Sequence, residues 1–269
     1  MQTRPGIDPI TSPVTFMQVQ LRVIGALIMR EIVTRYGREG LGFLWLIGEP
    51  LLFCLGVIVL WSAMKPAYEH GIRLGPFVMT GYMSLLLLRH LVTHSLNAMQ
   101  ANAGLMYHRV ISPLHIFISR FVLEIAGTTA AFVVVYAILF SLGEVGLPKE
   151  PLLLYGGWLI LAWLSMGLAL MIAALAIRFE TVERLAQLFM YLLIPLSGAF
   201  FMISFLPPAI QKFMLWVPLP HAVEMIRAGI FGEFVETHYN FAYPIVWGAF
   251  FNVAGLLMLR LFREHVEVE

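Results

Sequence analysis

Phe16 to Gly40 reads FMQVQLRVIGALIMREIVTRYGREG, and Leu41 to Met64 continues as LGFLWLIGEPLLFCLGVIVLWSAM. In the first stretch Val19, Val23, Ala26, Leu27 and neighbouring apolar residues recur at helical spacing, while Arg22, Arg30, Arg35 and Arg38 carry positive charge. Such a segment suits a membrane surface, with its arginines among the headgroups. The second stretch is long and apolar enough to cross. Gly40 and Gly42 loosen the corner between them, and Trp45 sits where an interfacial aromatic is favoured. The chain is therefore expected to turn from lying on a bilayer to entering it. Residues 1–40 read as a cytoplasmic tail with an interface helix, and residues 41–269 as a membrane-spanning domain.

Composition extends this reading outward. Apolar residues make up 60% of the chain and charged residues 12%, against about 45–50% and ~25% in a soluble domain. The first thirteen residues, MQTRPGIDPITSP, hold no apolar run of the kind a cleaved secretory signal needs, so the spans are expected to direct targeting. The single cysteine, Cys54, has no partner for an intrachain disulfide.

Six segments are long and apolar enough to span: Leu44–Met64, Pro76–Asn97, Ile116–Leu142, Leu152–Ile177, Leu185–Phe205 and Phe241–Phe262. An even count places both termini on one side. With that side cytoplasmic, Arg4, Arg22, Arg30, Arg35, Arg38, Arg109, Arg120, Arg178, Arg184, Arg260 and Arg263 lie inside, and Lys65, Arg73, Lys149, Lys212 and Arg227 outside. The excess of cations inside sets the orientation. The expected architecture is all-α: six transmembrane helices behind an amphipathic interface helix. Two connections exceed a simple turn. Met99 to His115 protrudes inside, and Leu206 to Asn240, broken by Pro207, Pro208, Pro218, Pro220 and Gly232, suggests an outer re-entrant hairpin of two short helices.

The chemistry of membrane enzymes is largely missing. Asp8, in the tail, is the only aspartate, so an aspartyl dyad or aspartate-held metal within the bilayer is excluded. No G-x-S-x-G or H-E-x-x-H occurs. Lys65, Lys149 and Lys212 follow Met, Pro and Gln, so no phosphate loop exists and any ATP must be handled by a partner.

The densest polar cluster within a span is Arg89, His90, Thr93, His94 and Asn97. Arg89, Thr93 and Asn97 share one helical face, flanked by the histidines. This face reads either as a wet electropositive wall for an anionic or polyhydroxylated substrate, or as a packing site in which Arg89 pairs with Glu31, Glu49 or Glu124. His90 and His94, with no third ligand nearby in sequence, are not a zinc signature, and no metal is expected. Glu49-Pro50 reads as a structural kink in the first span. Trp45, Trp61, Tyr82, Tyr191, Phe200, Phe201 and Trp216 provide faces on which sugars stack, and interfacial belts use the same residues.

The run Arg30–Gly37 (REIVTRYG), followed by Leu41–Trp45 (LGFLW) and Glu49-Pro50, resembles the opening segment of type-2 ABC exporter permeases, most of all those exporting capsular polysaccharide. Gln100–Leu105 (QANAGL) with Tyr107, Arg109 and Pro113 is similar to the segment after the second span of that subgroup. Trp216–Leu219 (WVPL) with Glu224 and Arg227 resembles its outer segment, with one departure: Val217 stands where relatives often carry Asn. The likeness runs from Phe16 to Arg263.

The resemblance implies a non-enzymatic permease subunit in the bacterial inner membrane. It would act as a homodimer with two copies of a separate ATP-binding subunit, which holds the ATP and Mg; this chain would bind no cofactor. An acidic, lipid-linked polysaccharide would cross at the dimer interface. Further implied partners are a periplasmic co-polymerase, an outer-membrane exporter and membrane lipid, and no nucleic acid. ATPase coupling would fall to Arg30, Glu31, Arg35, Tyr107, His108, Arg109 and Pro113. The conduit candidates are Trp45, Tyr82, Arg89, His90, His94, Phe200 and Phe201, and the outer-gate candidates Trp216, Pro218, Glu224 and Arg227. O-antigen, teichoic acid or a drug are rival cargoes, and a polytopic membrane transferase is the rival class.

Overall fold

The computed structural model describes residues 13–37, 42–64, 68–69, 71–106, 111–232 and 236–262. Among the described residues the protein is all-α but for one small hairpin. Helix α1 (Pro13–Tyr36) precedes α2 (Gly42–Met64), and strands β1 (Tyr68–Glu69) and β2 (Ile72–Arg73) lead into α3 (Leu74–Leu96). The strands pair antiparallel, Tyr68 opposite Arg73. A 3-10 turn, Gln100–Asn102, and the short α4 (Ala103–Met106) precede α5 (Pro113–Ser141), α6 (Pro151–Arg178) and α7 (Glu180–Leu196). After a second 3-10 turn, Ile203–Phe205, come α8 (Pro208–Met214), α9 (Pro218–Phe231) and α10 (Ala242–Phe262).

Local chemistry sets several of these ends. Proline opens α5, α6, α8 and α9, where its missing N–H costs nothing and its φ is already helical. Ser112 caps α5, its backbone N–H donating to His115 Nδ1 at 3.1 Å. Gly143, at φ 72°, stops α5.

Helices α2, α5, α6 and α10 are long and apolar enough to cross a bilayer. Helix α3 matches α2 in length at 23 residues, but Arg89, His90 and His94 make it more polar. Helix α7 corrects the sequence reading. The expected span Leu185–Phe205 is not one helix: α7 starts at Glu180 and stops at Leu196. Pro195 removes a backbone donor there, and Gly198 takes a left-handed φ of 74°, which turns the chain out of the helix.

Helix α6 is the hub, packed against α10, α9 and α3, and α3 in turn touches α2, α5 and α9. Asn252 of α10 donates to the Trp163 carbonyl of α6 at 3.0 Å, a polar link of the kind that holds membrane helices together. The outward residues are apolar: Phe53, Leu60, Val133, Leu159, Leu188, Leu192, Val246 and Val253 all stand exposed. Such a surface is stable only against lipid or another chain. Near the break in α7 the packing is tightest. A Cβ on Gly81 of α3 would lie 1.8 Å from the Ala199 carbonyl oxygen. Gly81→Ala is therefore expected to lower stability by about 1–3 kcal/mol through overpacking, read as a lower melting temperature in detergent; an unchanged melting temperature would contradict this contact.

Candidate functional site

Two complementary pairs, each one helical turn long, build the centre of the site. Glu31 and Arg35 lie on α1, and Arg120 and Glu124 on α5. Arg35 Nε donates to Glu31 Oε1 at 2.8 Å, and its Nη1 donates to Glu124 Oε1. Arg120 Nε lies 3.0 Å from Glu31 Oε1, and Arg120 Nη1 donates to the His94 carbonyl of α3. His90 Nδ1 and His94 Nε2 stand 3.6 and 3.7 Å from the Glu124 carboxylate. The Glu124 side chain is 2% exposed. Burial draws the Arg35 guanidinium down in pKa, and the Glu124 and Glu31 carboxylates more than reverse this, holding it above its ordinary value.

This arrangement overturns one expectation. Arg35 does not point into headgroups: it turns inward onto Glu31 and Glu124, whereas Arg22 and Arg30 stay exposed beside the apolar Met17, Leu21, Met29 and Val33, with Arg30 Nη1 donating to the Asn102 side chain. Two buried carboxylates must find cations, which outweighs headgroup attraction. Asn102 in turn donates to the Ala98 carbonyl at 2.8 Å, and His115 Nε2 bonds Gln20 of α1. Helix α1 is thus held along its length by the 98–102 turn and by the start of α5. Pro113 is the first residue of α5, whereas Tyr107, His108 and Arg109 lie outside the described residues.

Arg89 behaves differently. The acids proposed as its partners are not beside it: Glu31 and Glu124 are taken by Arg35, Arg120 and the histidines, and among the described residues Arg89 and Glu49 form no ion pair. The Arg89 guanidinium instead lies 5.8 Å from the centre of the exposed Tyr191 ring of α7. Thr93 and Asn97, on the same face of α3, are exposed. Trp45 and Glu49 line a shallow groove of about 400 Å³ along the outer face of α2. Tyr82 is half-buried, and Phe200 packs 5.3 Å from Trp61. His90 and His94 are drawn toward Glu124, away from Arg89.

At the far end Glu224 and Arg227 of α9 lie 3.6 Å apart and fully buried. Arg227 donates to the carbonyls of Gly198, Phe201 and Ala199 at 2.8, 2.6 and 2.8 Å. Glu224 accepts from the backbone of Ile203 and His238. The pair closes the break after α7. Pro218 opens α9, and the exposed Trp216 offers its carbonyl to Tyr243 Oη at 2.7 Å. His221, which sequence reasoning passed over, joins Leu215 to Asn240 through its two ring nitrogens. Arg120 with Glu124 was missed as a partner for Glu31 with Arg35. The signal was present: R-x-x-x-E in a span answers E-x-x-x-R in the interface helix.

A buried ion-pair cluster joins an interface helix to a bundle of apolar spans, and the sequence profile of the ABC-2 type transporter family matches residues 22–231. The chain belongs to that family. Curated relatives extend the likeness across this ABC-2 chain. The capsule polysaccharide export inner-membrane protein CtrC of Neisseria meningitidis serogroup B is 37% identical over 93% of this chain and 95% of its own. BexB of Haemophilus influenzae, which carries the same description, is 34% identical over 94% of this chain and 97% of its own. The polysialic acid transport protein KpsM of Escherichia coli is 26% identical over 92% and 96%. As an ABC-2 membrane subunit, the chain has the transport character that the resemblance of its opening segment implied.

Proposed function

We propose that this protein is the inner-membrane permease of an ATP-driven exporter of capsular polysaccharide. It works as a homodimer on two copies of a separate ATP-binding subunit, which holds the ATP and Mg. The relatives that carry capsule export in their names are similar to it over more than nine-tenths of its length, which supports this cargo class. Six spans follow if α3, buried among its neighbours, and α7, whose Leu185, Leu188 and Leu192 stand exposed, cross beside α2, α5, α6 and α10; the excess of cations then puts α1 and both termini in the cytoplasm. Residues 1–40 form the interface module and the remainder the transmembrane domain. On this reading the Met99–His115 segment receives the stroke of the ATPase, and the Glu31–Arg35–Arg120–Glu124 cluster carries it into the spans. Helices α8 and α9 form the outer hairpin, and a periplasmic co-polymerase and an outer-membrane exporter continue the path.

Arg89 carries the conduit reading. Among the described residues it has no acidic partner, and it lies on an uncovered polar face beside Tyr191. A charge so placed needs water, a second copy or an anionic cargo. In a low-dielectric wall it attracts an acidic polymer far more strongly than it would in bulk water. Surface polymer and complex yield in Arg89→Lys, Arg89→Gln and Arg89→Glu test this. Yield should stay normal while export falls in that order, by roughly tenfold at Gln, the loss of one charge-assisted contact of about 1.4 kcal/mol. Normal export in Arg89→Glu would defeat the conduit reading.

A further inference from the structure

The fold supplies what the spacing of His90 and His94 lacked. The two histidines sit one turn apart on α3, and Glu124 enters between them from α5, so that one ligand atom from each residue can be chosen with all three within 4.8 Å of one another. Among the described residues this is the only such group. We propose that His90, His94 and Glu124 form a binding site for a divalent metal ion of the zinc, cobalt or nickel type.

Two imidazoles and a carboxylate are a donor set that such ions take, leaving a fourth place for water. The separations of 3.6 and 3.7 Å between the carboxylate oxygens and the histidine nitrogens are close to the roughly 3.4 Å edge of a tetrahedron with bonds of about 2.1 Å. Oε2 faces His90, whereas Oε1 faces His94 and also accepts from Arg35, so an ion on Oε2 would draw the His94 ring across to that oxygen. A ligating carboxylate held by a cation on its other oxygen is oriented as outer-shell partners orient metal ligands. Glu31 and Glu124 balance the charges of Arg35 and Arg120. His94 is 34% exposed and gives access. The bound ion would tie α3 to α5 beside the ion-pair cluster that anchors α1.

The test uses the full chain in complex with its ATP-binding partner, purified with a tag free of histidine and titrated with cobalt(II). One cobalt per chain, with the intense visible absorption of a four-coordinate ion, is expected, and zinc should displace it. His94→Gln, on a half-exposed helical face, should weaken binding at least tenfold and abolish the absorption. His90→Asn should do the same, so the outcome does not hang on one variant folding. His238→Gln, at a histidine far from the site, should leave both unchanged. No cobalt absorption in the wild-type complex, or absorption that survives in the folded His94→Gln and His90→Asn variants, would overturn the site.

Discussion

Replacing Arg227 with leucine is expected to leave almost no folded protein. The guanidinium is 0% exposed, lies 4.4 Å from the centre of the Phe77 ring, and is the donor for three backbone carbonyls where α7 breaks. Its removal leaves Glu224 buried without its cation, at about 3–5 kcal/mol. It also strips donors from the Gly198, Ala199 and Phe201 carbonyls, each unsatisfied group costing about 1–3 kcal/mol. The sum reaches the whole stability of a typical domain, about 5–15 kcal/mol. Arg227→Lys keeps the charge but cannot fan out to three acceptors, so it should give partial yield and a lower melting temperature. Yield and thermal unfolding in detergent decide the matter. A leucine variant that melts with the wild type would show that the 197–202 turn is held by other means.

Arg120→Glu should separate ATP hydrolysis from export. The substitution sets three carboxylates around Arg35, so α1 loses its Arg120 link to α5 and the Arg35 pair is perturbed, while α1 keeps its contacts to Asn102 and, through Gln20, to His115. In the purified complex ATP hydrolysis should persist and polymer export should fall to background. Glu31→Arg added to Arg120→Glu restores one cross-helix pair and should recover part of export, with a coupling energy of about 0.5–3 kcal/mol between the two sites. Full export in Arg120→Glu alone would remove the cluster from the coupling path. Equal loss in the single and double variants would mark the site as packing without directed pairing.

Much of this protein could be read from its residues because each reading rested on local rules. Apolar runs of span length mark α2, α5, α6 and α10. Proline followed by helical spacing marks the starts of α5, α6, α8 and α9. The REIVTRYG opening marks the family that the profile match then showed.

Tertiary structure decided the partners of the charges. Arg35 and Glu124 are 89 residues apart, and although the two i, i+4 charge pairs answer each other in sequence, spacing alone does not say that they meet. Burial makes the choice, because each buried carboxylate must take the nearest cation that packing brings within reach, and only the crossing of α1 over α5 sets that reach. Among the described residues, the same crossing leaves Arg89 without an acid and brings two histidines to Glu124. The break in α7 has the same origin. Leu185–Phe205 is apolar enough to read as one span, but the fully buried Arg227 needs carbonyl acceptors that no intact helix leaves free, and the turn at Gly198 provides them.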